Sequence, residues 1–212
     1  MKRATLLTIL LLAPALAFGQ KFQDVTAKGA PVSLLVKADY PDMGPYVAVH
    51  NNSSKGILAL VAVVRTTDEH GQVVPCFTRQ DYALKLGVIA PKEERGVGPL
   101  APEPRVKIDD AVGAVFFAQF DDGSIWGDPE AGMEMLAARP QKLTFLKHLV
   151  ETYYESGDAA FAAALNEPKP RSPEYAVAAC LKGDADYDKI STIDLAKKRL
   201  ADAQEWRAFG IF

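Results

Sequence analysis

The chain has 212 residues, 49% of them hydrophobic and 24% charged, with a formal net charge of −3. That composition supplies enough apolar side chains for a proper core and argues against wholesale disorder. A mildly acidic balance without a basic cluster argues against nucleic acid and anionic membrane surfaces as partners, since both need Lys and Arg to neutralise phosphates.

Lys2 and Arg3 open the chain, residues 6–16 are almost wholly apolar, and Ala15, Ala17 and Gly19 put small residues where a signal peptidase cuts. This three-part pattern predicts a secretory signal peptide over residues 1–19, with Gln20 as the mature start. The apolar run is too short for a helix across a bilayer core of about 30 Å, which takes about 20 residues. The only comparable later run, residues 56–64, opens into Arg65. The mature chain is therefore expected to be secreted or periplasmic, with no transmembrane segment. About 190 residues remain, enough for one good-sized domain or two small ones.

From residue 32 to residue 126 the pattern is that of strands. Residues 32–40 and 46–50 are β-rich and flank the turn Pro41-Asp42-Met43-Gly44-Pro45. The polar corner Asn51-Asn52-Ser53-Ser54 precedes a long strand over 56–67, and Glu69-His70-Gly71-Gln72 turns it into Val73-Val74. A shorter strand is expected over 83–89, then the loop 90–95, then a long strand over 105–120 turned by Asp121-Asp122-Gly123 into Ser124-Ile125-Trp126. Short strands punctuated by Gly, Pro and Asn about every ten residues predict an antiparallel sandwich.

After Asp128 the periodicity becomes helical. Residues 141–155 place Leu143, Leu146, Leu149, Val150, Tyr153 and Tyr154 on one face, and Gly157 is expected to end that helix. Asp158 can cap a short further helix, and residues 166–170 form a linker. Ser172-Pro173-Glu174 starts another helix, with Gly183 as its end. Ser191 with Asp194 resembles a capping box opening the last one. The expected fold is α+β: an immunoglobulin-like sandwich over 20–128, followed by a helical region over 129–212.

Two strands bear on how the halves meet. In 56–64 and 112–120 both alternating sets are apolar, whereas a sandwich strand facing water alternates apolar with polar. The helices after Asp128 are expected to cover the outer face, placing Leu58, Leu60, Val115 or Phe117 beneath them. A partner protein or a second copy, making a homodimer, is the rival cover.

Candidate sites are few. Cys76 and Cys180 are candidates for one disulfide, worth on the order of 4 kcal/mol by chain entropy in an oxidising compartment. The alternative is two separately buried thiols. Asp184, Asp186 and Asp188 match the first three ligand positions of a calcium loop, but Lys189 stands where Gly is needed and Leu195 where Glu is needed. Gly96-Val97-Gly98-Pro99-Leu100-Ala101 fits a dinucleotide pattern, yet Pro99, Pro102 and Pro104 forbid the helix it requires. His50, His70 and His148 lack a second ligand at metal spacing, so no metal or cofactor is expected. Asn51 and Asn52 each begin a glycosylation sequon. Trp126 reads either as an exposed aromatic at a binding surface with Asp121 and Asp122, or as packing.

The Asn51–Ser54 corner, the Ala90-Pro91-Lys92-Glu93-Glu94 loop and the closing run from Asp121 to Asp128 together resemble uncharacterised exported bacterial proteins with an immunoglobulin-like sandwich. The resemblance covers about half the chain. Its motifs are turns, and it implies a fold without implying a catalytic residue. The function expected is therefore a non-enzymatic binding module outside the cytoplasm, holding a protein or envelope component through a sheet face or edge. The alternative is a hydrolase of an envelope polymer using loop acids such as Asp121, Asp122 and Asp128. Two facing carboxylates in a cleft would favour the second, and a shallow apolar surface the first.

Overall fold

The computed structural model describes residues 21–37, 46–83, 87–99 and 108–208. The expected signal peptide and cleavage point, the 41–45 turn and the beginning of the strand expected from residue 105 lie outside them. Among the described residues eight strands come first: β1 (Lys21–Asp24), β2 (Val32–Lys37), β3 (Tyr46–Asn51), β4 (Ile57–Asp68), β5 (Val73–Asp81), β6 (Glu94–Pro99), β7 (Ile108–Phe120) and β8 (Ile125–Gly127). Four helices follow: α1 (Pro129–Ala137), α2 (Arg139–Asn166), α3 (Pro173–Asp188) and α4 (Thr192–Ala208).

The strands form two sheets. The larger has the order β1-β7-β4-β5 with β8 also on β7, and the smaller has the order β2-β3-β6. The chain changes sheet after β1, β3, β5 and β6, so β2-β3-β6 take the A-B-E places of an immunoglobulin-like sandwich and β8-β7-β4-β5 the G-F-C-C′ places. Every pairing is antiparallel except β1 on β7, where Lys21 to Asp24 run parallel to Asp110 to Gly113. The fold is α+β, as the sequence predicts.

Between the sheets, Val32, Leu34, Val47 and Val49 meet Leu60, Ala62, Val64, Val115 and Ala118 in one buried cluster. Bulges at Ile57/Ala59 and Val61/Ala62 shift the register of β4 on β7. They re-sort the apolar residues, so simple alternation misplaces some of them. Leu60 and Val115 point into the sandwich, whereas Phe117, Ala59 and Val61 pack with Met135 of α1. Leu58 packs with Ala83 against Trp206 of α4. The helices thus cover the outer face of these strands at Leu58, Ala59, Val61 and Phe117, while Val63 and Ala114 stay half-buried beyond them.

Where sequence and structure differ, tertiary context decides. Strand β6 occupies Gly96-Val97-Gly98-Pro99, a stretch with little strand propensity, because it pairs with β3. A Cβ at Gly96 would lie 3.1 Å from the Tyr46 ring, a tight contact that glycine avoids. The strand expected over 83–89 is reduced, among its described residues, to a single bridge between Ile57 and Ile89. Helix α1 begins at its Asp128 cap, whose carboxylate accepts the Glu130 amide. Helix α2 carries its break at Gly157, with φ 76° and ψ −170°. Helix α3 passes through Gly183 and ends at left-handed Lys189. Ser191 and Asp194 cap α4 by two mutual hydrogen bonds. Leu146, Leu149, Leu181, Leu195 and Ala203 fill the centre of α2, α3 and α4, while Tyr154, expected on that buried face, is 70% exposed.

Candidate functional site

The register of the larger sheet sets three rows of side chains across β7, β4 and β5 on its outer face. The first is Gln119–Ala59–Asp81, the second Phe117–Val61–Arg79, and the third Ala114–Val63–Phe77. Strands lie about 4.8 Å apart, so the two polar ends of the first row are about 10 Å apart, with only a methyl between them. The Arg139 guanidinium, at the start of α2, reaches both ends. Its Nε and Nη2 donate to Asp81 Oδ1 at 3.1 and 2.9 Å, Nε also lies 3.2 Å from Oδ2, and Nη1 donates to Gln119 Oε1 at 2.6 Å. All three residues are buried. Asp81 also accepts the Ala83 amide at 3.3 Å and has the Lys142 ammonium at 3.6 Å.

The second row carries α1. Gly132 lies on the Phe117 ring, where a Cβ would approach to 2.6 Å, and Glu134 meets Arg79 at 2.8 Å. Between β5, α1 and α3 a groove of about 290 Å³ opens, lined among others by Arg79, Met135, Lys142, Val177 and Cys180. The third row is uncovered: Phe77 is 66% exposed. Asp81 commits its oxygens to Arg139 and Lys142, which makes it a structural anchor for the helices.

Sequence reasoning missed Asp81, Gln119 and Arg139. Asp81 and Gln119 lie 58 and 20 positions from Arg139 along the chain, and no short motif joins them. The one available signal was the strand pairing, which puts Asp81 and Gln119 on either side of Ala59.

The residues that sequence reasoning did single out serve other ends. Asp121 accepts the Gly56 amide at 2.9 Å, and Asp128 caps α1. Asp122 is held by Lys55 at 2.6 Å and by the Ser124 hydroxyl and amide, which bring its carboxyl down to about 2. These three acids are tied to separate local partners and form no facing pair. Trp126 pairs across β7 with Ala118 and packs against the sandwich core, the second of its two readings.

Asn51 is fully buried and donates to the carbonyls of Lys55, Ile89 and Ala90, which closes the 51–55 corner and removes it as a glycosylation acceptor. Asn52 is exposed and donates to the Ser33 hydroxyl. Asp184, Asp186 and Asp188 lie within helix α3, not in a loop, and Asp184 pairs with buried Arg199. His50 faces Glu94 across β3 and β6 with Nδ1 3.6 Å from the carboxylate, His70 lies in its turn, and His148 is exposed on α2. Among the described residues no three His, Cys, Asp or Glu converge on a metal position. Burial raises the Tyr82 hydroxyl to about 12, beneath an Arg95 guanidinium 5.3 Å from its ring.

No disulfide joins Cys76 and Cys180. The sheet explains why. Cys76 pairs with Val64, whose side chain points into the sandwich, while Cys180 lines the groove on the opposite face. A disulfide needs Cα atoms within about 7 Å and converging Cβ vectors. Two thiols on opposite faces of a strand layer lack the convergence.

No protein-family model matches the chain, and neither a curated protein nor a solved structure matches it.

Proposed function

We propose that the chain is an exported, non-enzymatic binding module that holds a protein or envelope component against the outer face of its larger sheet. The observation that carries this reading is the uncovered third row. Phe77, Val63 and Ala114 adjoin across three strands, with Val73 and Phe116 exposed on the flanking strands. An apolar surface of this kind left in water marks an interaction site more often than chance. The basic, apolar and small-residue succession before Gln20 supports export.

A face suits this role better than an edge. Tyr82 donates to Leu58 O and Asp68 to Gln72 O, so even-numbered β5 residues bond to β4 and odd-numbered ones turn outward. Pro75 stands at an outward position and offers no N–H, which blunts that edge against strand addition. The smaller sheet is guarded too: Asp24 accepts the outward Leu34 amide, and Gln80 donates to Val97 O. A hydrolase would need acids free to face a substrate, and Asp121, Asp122 and Asp128 each hold a local backbone or lysine instead.

The test is a photo-crosslinking residue at position 77, compared with one at position 54, in the exported protein within its own envelope. A discrete adduct at 77 and absent at 54 is expected, and its mass identifies either a partner or a second copy. Identical adducts at both positions, or none at 77, would overturn the reading.

A further inference from the structure

We propose that the groove between β5, α1 and α3 is a binding site for small aliphatic carboxylates, separate from the apolar sheet face. It is lined by the apolar Met135, Ala138 and Val177 and by the charged Arg79, Asp81, Glu134 and Lys142. Its lining therefore combines apolar and charged side chains. At about 30 Å³ for each water-sized group, its volume of about 290 Å³ holds roughly ten non-hydrogen atoms. That is near the lower end of ligand pockets.

The charges select an anion. Arg79, Arg139 and Lys142 stand against Asp81 and Glu134, so one positive charge is in excess. Arg139 is locked between Asp81 and Gln119, and the Arg79–Glu134 pair lies at the exposed rim. Lys142 is different. Its side chain is only 17% exposed, yet its ammonium, with three protons to donate, meets among the described residues only Asp81 Oδ2 at 3.6 Å. That distance is too long for a hydrogen bond. A carboxylate in the groove would give Lys142 a short partner while its chain lies along Ala138 and Val177. Asp81 and Glu134 already have cations, so an amine would find no vacant carboxylate.

Cys180 on the groove wall supplies the readout, and Cys76, on the other side of the sheet, the internal standard. The rate of maleimide addition to each thiol is measured on the full chain by peptide mass spectrometry, with hexanoate, hexanol or hexylamine present at matched concentration. For eight non-hydrogen atoms with one charged contact, a dissociation constant on the order of 1 mM is expected. Ten times that concentration should slow addition at Cys180 about tenfold and leave Cys76 unchanged. Hexanol and hexylamine should give little protection. Lys142→Met should lose the protection by hexanoate, and Lys142→Arg should keep it. An unchanged Cys180 rate with hexanoate would overturn the proposal. Equal protection by hexanol, or protection that survives Lys142→Met, would overturn it too. If Lys142→Met fails to fold, the comparison of hexanoate with hexanol on the native chain decides alone.

Discussion

Replacing Arg139 by Met removes the side chain that ties both ends of the first polar row of the sheet to the helices. Asp81, 7% exposed, would keep only the Ala83 amide and the Lys142 ammonium at 3.6 Å, and Gln119 would lose its 2.6 Å donor. Breaking a buried ion pair from one side costs about 3–5 kcal/mol, because it strands the other charge. Against a total stability of about 5–15 kcal/mol this is a large share. With a urea slope of about 2 kcal/mol per molar, the midpoint should fall by roughly 1.5–2.5 M. The double variant Arg139→Met with Asp81→Leu replaces both charges by apolar groups, and it should recover most of the loss. Urea unfolding followed by circular dichroism and tryptophan fluorescence measures both. A single-variant cost under about 1 kcal/mol, in the range of an exposed ion pair, would refute the anchoring role. So would a double variant no more stable than the single one.

Two further perturbations test the same seam and the acidic turn. Gly132→Ala gains up to about 1 kcal/mol of helix propensity but drives a methyl into the Phe117 ring, so a net loss of about 1–2 kcal/mol is expected in thermal unfolding. Adding Phe117→Leu should shrink that loss. Asp122 has a folded-state carboxyl held down to about 2 against an ordinary 3.8, so its contribution is present above 3.8 and lost as pH falls toward 2. Asp122→Asn should therefore show a shallower fall in Tm between those pH values than the native chain, and an equal fall would contradict the assignment.

The parts of this fold that were legible in the sequence are those encoded by neighbours. Ser172-Pro173 and the Ser191/Asp194 pair announce helix starts because capping is local. The two doubly apolar strands announce a cover on both faces, because each strand's pattern records both of its surroundings. What stayed hidden depends on distant partners. Strand β6 exists only through β3, and Gly96 and Gly98 there mask its strand character. Helix α1 is short and has Gly132 in its middle, which lowers its helical signal although that glycine is what lets it rest on Phe117. The polar row Gln119–Ala59–Asp81 becomes visible only once three strands are in register, and the bulges in β4 and β7 defeat a strict alternation. The same layer of sheet that builds the row keeps Cys76 from Cys180.

The central claim is that the helices are the missing outer layer of the sandwich, so that neither half is complete alone. Producing residues 20–128 without the helices tests it most directly. Leu58, Phe117 and Val61 would then face water together with Asp81, which would have lost Arg139. The truncated chain is expected to aggregate or to bind a hydrophobic dye strongly, while the full chain remains monodisperse and unfolds in one transition. A soluble, monomeric and cooperatively folding 20–128 fragment that ignores the dye would contradict the claim.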